Sequence, residues 1–194
     1  MRSILVWGAA AAGLACGVAS PVVAQGRVAH AGFYIGAGLG GGWARVGGDF
    51  SDATEFGYSG SLRLGGHAKP NLLIGGETNG WYKSADAGGV NTSWMSLMVT
   101  TSVYPGKDLP LFVKAGLGGM LTTGRIEGFG SYTSARFAIQ VGAGFDIKIG
   151  RSSAVNIMAN WIQGFSGQID WSNSSAVGNA SPSIIQLGVG FSLY

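Results

Sequence analysis

Apolar residues recur at every second position along most of the chain, the period of an extended strand with one apolar face. Residues 137–150, FAIQVGAGFDIKIG, show it most plainly. There Phe137, Ile139, Val141, Ala143, Phe145, Ile147 and Ile149 alternate with Ala138, Gln140, Gly142, Gly144, Asp146 and Lys148. Toward the N-terminus, Phe33, Ile35, Ala37, Leu39 and Trp43 oppose Tyr34, Gly36, Gly38 and Gly40. Next, Tyr58, Leu62 and Leu64 oppose Ser59, Ser61, Arg63 and His67. Leu72, Ile74 and Tyr82 oppose Glu77 and Asn79, with Leu73 and Trp81 blurring the contrast. Met95, Leu97, Val99 and Val103 then face away from Ser96, Thr100 and Ser102, and Leu111, Val113, Ala115 and Leu117 from Lys114, Gly116 and Gly118. After the stretch at 137–150, Val155, Ile157, Ala159, Trp161 and Phe165 oppose Asn156 and Asn160. Last, Ile185, Leu187, Val189, Phe191 and Leu193 oppose Gln186, Gly188, Gly190 and Ser192. The pattern predicts eight strands.

The connections alternate in length. Those after the second, fourth and sixth strands are tight (KPN, PGKDLP and GRSS), and those after the first, third, fifth and seventh run about nine to seventeen residues rich in Gly, Ser, Asp and Asn. Short turns at one end and long loops at the other mark an outer-membrane barrel with periplasmic turns. Both termini are then expected on the periplasmic side. A soluble up-and-down barrel would alternate too, but with its apolar face inward and its charges spread over the outside. Here the polar face is mostly Gly, Ser, Thr and Asn, and the apolar face holds no charge in the middle of any strand. Trp43, Tyr82, Trp94, Tyr104, Trp161 and Phe165, near strand ends, suit the aromatic girdles of a membrane protein. The predicted fold is therefore all-β: an eight-stranded antiparallel up-and-down transmembrane barrel. Backbone groups in lipid must all be paired, so the sheet has to close. A slip of one residue would turn Arg63, Glu77 and Lys114 into the acyl chains.

Composition sharpens this picture. Of 194 residues, 36 are glycine and only 11% are charged, against about a quarter in ordinary soluble proteins. Hydrophobic residues reach 46%, yet no internal run approaches the ~18 apolar residues of a spanning helix. Residues 1–24 differ in kind. Arg2, the apolar run ILVWGAAAAGLACGVA and the small-residue end at Ala24 predict a cleaved secretory signal peptide, leaving 25–194 as the barrel domain. Lipoprotein processing at Cys16 is the alternative, although Gly13-Leu14-Ala15 lacks the branched apolar residue usual there. Cleavage removes the single cysteine, so neither a disulfide nor a thiol nucleophile is expected. With Arg2 gone, 11 basic against 9 acidic residues leave a net charge of +2. The basic residues are scattered singly, which argues against nucleic acid as a partner.

Candidate chemistry is sparse. Gly36, Gly38 and Gly41 spell G-x-G-x-x-G, but inside an alternating strand rather than at the start of a helix, so no dinucleotide cofactor is expected. The histidines are His30 and His67. Ser61 shares a face with His67 but lies about 20 Å away along the strand at ~3.3 Å per residue, out of hydrogen-bond reach. No catalytic, metal or cofactor set is predicted. The inward charges Arg63, Glu77, Lys114, Arg136 and Asp146 form a candidate polar network in the lumen. A hairpin centred on Pro70 places Arg63 opposite Glu77, Lys114 and Asp146 form a second possible pair, and Arg136 sits nearer the outside. Such a network is either a structural plug, since buried ions need partners, or the lining of a conduit in which glycines leave room for water.

The stretches GFYIGAGLGGGW, LPLFVKAGLGG, GAGFDIKIG and IIQLGVGFSLY resemble the small eight-stranded outer-membrane barrels, including the outer-membrane-protein-A-like transmembrane domain and the opacity-type surface proteins of the porin family. The resemblance covers nearly all of residues 31–194. It implies a Gram-negative outer membrane, contact with its lipids and lipopolysaccharide, and insertion by the barrel assembly machinery. Relatives end in an aromatic residue read by that machinery; here Leu193 closes the outward series and Tyr194 falls on the opposite parity, so either could serve. The family implies a non-enzymatic envelope scaffold or surface-interaction protein acting through its loops. The alternatives are a small pore through the polar lumen, or a lipid-modifying enzyme with catalytic groups near the extracellular end. No surface partner is legible in the loop at 173–183.

Overall fold

The computed structural model describes residues 32–48, 54–84, 90–106, 109–126, 130–165, 167–168, 170–171 and 179–194. The predicted leader with Cys16, His30, and most of the loop at 173–183 lie outside them. Eight long strands follow in chain order: β1 (Phe33–Gly48), β2 (Thr54–Lys69), β3 (Leu72–Lys83), β4 (Val90–Val103), β5 (Leu111–Ile126), β6 (Gly130–Lys148), β7 (Ser153–Gly164) and β8 (Asn179–Leu193). Each pairs antiparallel with the next, and β1 pairs with β8, so the sheet closes. Two short pieces in the last connection, Gly167–Gln168 and Asp170–Trp171, pair with β8 and β6. Among the described residues no helix is long and apolar enough to cross a membrane, which says nothing of a barrel.

The registers fix the geometry of closure. Following Cα partners around the barrel from Ile35 leads through Leu64, Gly76, Val99, Leu117, Ile139, Gln163 and Ser183 to Arg45, ten positions further along β1. With a rise of about 3.3 Å per residue and strands about 4.8 Å apart, that stagger tilts the strands by about 40°. An eight-stranded barrel of this tilt has an interior just wide enough for side chains to fill.

The two faces separate as alternation predicts. Leu39, Leu62, Leu97, Val99, Leu117, Phe137, Ile157 and Val189 are exposed on the outside, whereas Arg63, Glu77, Lys114, Gln140, Asp146 and Asn156 are buried within. The ambiguous pair in β3 resolves inward, for Leu73 and Trp81 both lie in the lumen. Two members of the expected aromatic girdle do not belong to it. Trp94 and Tyr104 are each only 3% exposed, because they share the parity of Ser96 and Ser102. Trp43, Tyr82, Trp161 and Phe165 do face outward.

The loops are shorter than expected, because the strands continue past the apolar belt. The first, third and fifth connections shrink to residues 49–53, 84–89 and 127–129. The tight turns lie where expected, at Pro70-Asn71, 104–110 and 149–152. We call these two ends of the barrel the loop end and the turn end. Leu62 sits outward near the middle of β2. Replacing it with arginine is expected to cost about 2–4 kcal/mol in the folding equilibrium from urea into lipid bilayers, while Leu62→Val should cost much less.

Candidate functional site

Among the described residues charged side chains gather in the lumen, whose side chains form three layers. In the middle, the Lys114 ammonium donates to both carboxylate oxygens of Glu77 at 2.6 Å. Gln140 Nε2 donates to the same carboxylate at 2.9 Å, and Asn79 Nδ2 donates to Gln140 Oε1 at 3.3 Å. Beside them the Arg63 guanidinium donates to Asn156 Oδ1 at 2.8 Å and to Ser192 Oγ at 3.1 Å. Asn156 Nδ2 also donates to Ser192 Oγ, and Arg63 lies 6.0 Å from the centroid of the Phe112 ring.

This wiring differs from the one read off the hairpins. Arg63 and Glu77 are Cα partners across the β2–β3 turn, yet the ion pair of Glu77 is with Lys114 on β5. Lys114 does not pair with Asp146, whose Oδ2 accepts from the Tyr104 hydroxyl at 2.7 Å and the Tyr194 hydroxyl at 2.9 Å. Arg136 stands nearer the loop end, where it donates to Ser134 on its own strand. The reason is the narrow bore. Long side chains reach over small residues to strands that are not their neighbours. Arg63 on β2 passes over β1 at Gly36, where an added Cβ would lie 3.2 Å from its Nη2 and 2.6 Å from Ser192 Oγ.

Apolar layers cap this polar one on both sides. Toward the turn end lie Tyr34, Leu73, Tyr104 and Phe112, which cluster with Met158 and have Tyr194 packed against them. The Tyr194 ring stacks on Tyr34 at 6.1 Å and lies 6.1 Å from the His67 ring, so it closes the mouth of the lumen. Nδ1 of His67 lies 3.3 Å from Gly32 O, which makes it a rim residue. Toward the loop end a plug of Trp81, Trp94, Met98, Met120, Ile162 and Ile184 spans the bore. The two indoles lie 5.6 Å apart, and Trp81 Nε1 donates to Gly42 O at 2.9 Å. Above the plug, Lys83 pairs with Glu55 at 2.8 Å. Among the described residues no three His, Cys, Asp or Glu side chains gather as metal ligands would.

The closed, tilted wall with an apolar exterior is that of a membrane barrel, and the sequence agrees. Residues 9–192 match the family described as the outer membrane protein beta-barrel domain. The chain belongs to this family. No curated protein matches it in sequence. Among solved structures, the barrel is similar to Neisserial surface protein A, at 13% identity and a TM-score of 0.59, over 84% of this chain and 97% of that one. It is also similar to Ail, the attachment invasion locus protein of Yersinia pestis, at 12% identity and a TM-score of 0.52, over 84% of this chain and 99% of the other. At such identities the likeness is one of fold.

The lumen glycines of this outer-membrane barrel, read from sequence as possible water space, are already covered. A Cβ at Gly142 would lie 2.5 Å from Asn160 Oδ1 and 3.0 Å from Lys114 Cε. At Gly118 it would strike the carbonyl of Leu97 on the adjoining strand, so this glycine lets the wall bend rather than widening the bore. A cavity of about 20 Å³ remains beside Ser59, Ser61, Asn160 and Gln186, room for a single water. Parity alone could have assigned Trp81, Trp94, Phe112 and Met120 to this interior. They were missed because apolar residues are not what a polar lumen leads one to look for.

Proposed function

We propose that this outer-membrane barrel is a non-enzymatic envelope scaffold or surface-interaction protein whose contacts are made by its loop end. The observation that carries the reading is the filled lumen, with an ion-paired layer and an apolar plug in series. A conduit would need both to open. Glu77 and Asp146 are held by Lys114, Gln140 and two tyrosines, and Glu55 near the loop end is held by Lys83. The purified barrel in planar bilayers is expected to give no steady single-channel openings. Regular openings of one size would defeat this reading in favour of a pore. An altered acyl-chain profile of the envelope lipids on expression would favour an enzyme.

The tight turns at Pro70-Asn71 and 149–152 support an orientation with the turn end and both termini in the periplasm. Ser152 is exposed at that end. With the single cysteine in the predicted leader, Ser152→Cys gives one thiol in the mature chain. It should resist an impermeant maleimide in intact cells and react once the outer membrane is permeabilised. Labelling in intact cells would reverse the orientation.

A further inference from the structure

We propose that Tyr194 is a latch on the turn-end mouth of the lumen, swinging away from Asp146 and back while the barrel stays folded. The ion-paired layer crosses the bore in either position, so the open latch admits solvent to Asp146 without making a pore.

The end of β8 places a movable side chain there. Both ladders that flank this strand stop at Leu193, paired with Ile35 on one side and Ser153 on the other. Leu193 is outward and 46% exposed, so alternation turns Tyr194, just beyond it, toward the lumen. The backbone of Tyr194 is tied to the neighbouring turn by its N–H, which donates to Ser152 O at 2.8 Å. A swing at this residue therefore disturbs neither ladder. Tyr194 is also partly exposed, and its ring can move out into solvent rather than into packed neighbours.

The closed position balances gains against a cost. The ring stacks on Tyr34, and the hydroxyl donates to Asp146 Oδ2, which already accepts from Tyr104. Asp146 is 4% exposed, yet its Oδ1 has no donor among the described residues. A buried carboxylate oxygen without a donor is destabilising. Opening brings water to Oδ1, while Tyr104 continues to hold Oδ2. The swing thus exchanges one phenol bond and one stacked ring for hydration of a carboxylate. Such an exchange leaves two local states close in free energy.

Two buried serines distinguish latch motion from unfolding. Ser192 is 1% exposed and lies two residues before Tyr194 on the same face. Ser96 is 2% exposed and lies between the plug residues Trp94 and Met98 on β4. Each is replaced separately by cysteine, and the barrel in lipid bilayers is exposed to a small methanethiosulfonate reagent. Ser192→Cys is expected to label faster than the barrel unfolds, and Ser96→Cys no faster than it unfolds. Adding Tyr194→Ala should speed the labelling of Ser192→Cys about tenfold. Tyr194→Phe, which keeps the ring and drops the bond to Asp146, should speed it less, and Leu193→Ala should leave it unchanged. The proposal is overturned if Ser192→Cys labels only as fast as the barrel unfolds, or if Tyr194→Ala leaves that labelling unchanged. It is equally overturned if Leu193→Ala speeds it as much, or if Tyr194→Ala speeds Ser96→Cys to the same degree. Each variant is first checked for the heat-dependent electrophoretic shift of a folded barrel, and its unfolding rate is measured in the same bilayers.

Discussion

Replacing Glu77 with alanine is expected to destabilise the barrel by about 3–5 kcal/mol, the cost of leaving one member of a buried ion pair without its partner. Lys114 and Glu77 have side chains only 1% exposed, and the ammonium sits on both carboxylate oxygens. Lys114→Met should cost a similar amount, because among the described residues the carboxylate would keep only the Gln140 amide as a side-chain donor. The double variant Glu77→Gln/Lys114→Met should recover most of the loss. Paired charges often contribute little beyond well-packed neutral groups, whereas a lone buried charge is costly. With the Glu77→Gln single variant added to close the double-mutant cycle, the coupling is read from urea unfolding in lipid bilayers. Single variants within about 1 kcal/mol of wild type would mean that water reaches the pair, and the sealed lumen would have to be abandoned.

The second large effect is expected at the plug. Trp81 is 2% exposed, and its indole fills the bore against Trp94. Trp81→Ala should cost about 3–5 kcal/mol, transfer and cavity terms together. Trp81→Phe keeps much of the packing but drops the bond to Gly42 O, and should lose less. The neighbouring Tyr82 is the natural control. It points outward and is 48% exposed, so Tyr82→Ala leaves no cavity in the lumen. If both alanine variants cost the same, the plug is not a packed core. Trp81→Ala alone should not make the barrel conduct, since Lys114, Glu77, Gln140 and Arg63 still cross the bore below it.

Alternation by itself determined the strands and which side of each faces lipid. A membrane wall has two unlike solvents, and successive side chains meet them in turn. The stretch at 137–150 shows how much follows: Phe137 and Val141 are exposed on the outer face, and Gln140 and Asp146 are buried within. Tight turns fixed local register as well, so Arg63 opposite Glu77 could be read from the chain around Pro70. The ten-residue stagger, the reach of Arg63 to Asn156 and Ser192, the Lys114–Glu77 pair and the meeting of Trp81 with Trp94 could not. Each depends on how β1 and β8 close the sheet and how far the strands tilt. Those quantities belong to the whole barrel, and no single strand or hairpin contains them. Sequence decided which residues enter the lumen; closure decided which of them meet, and with that whether the lumen is open or filled.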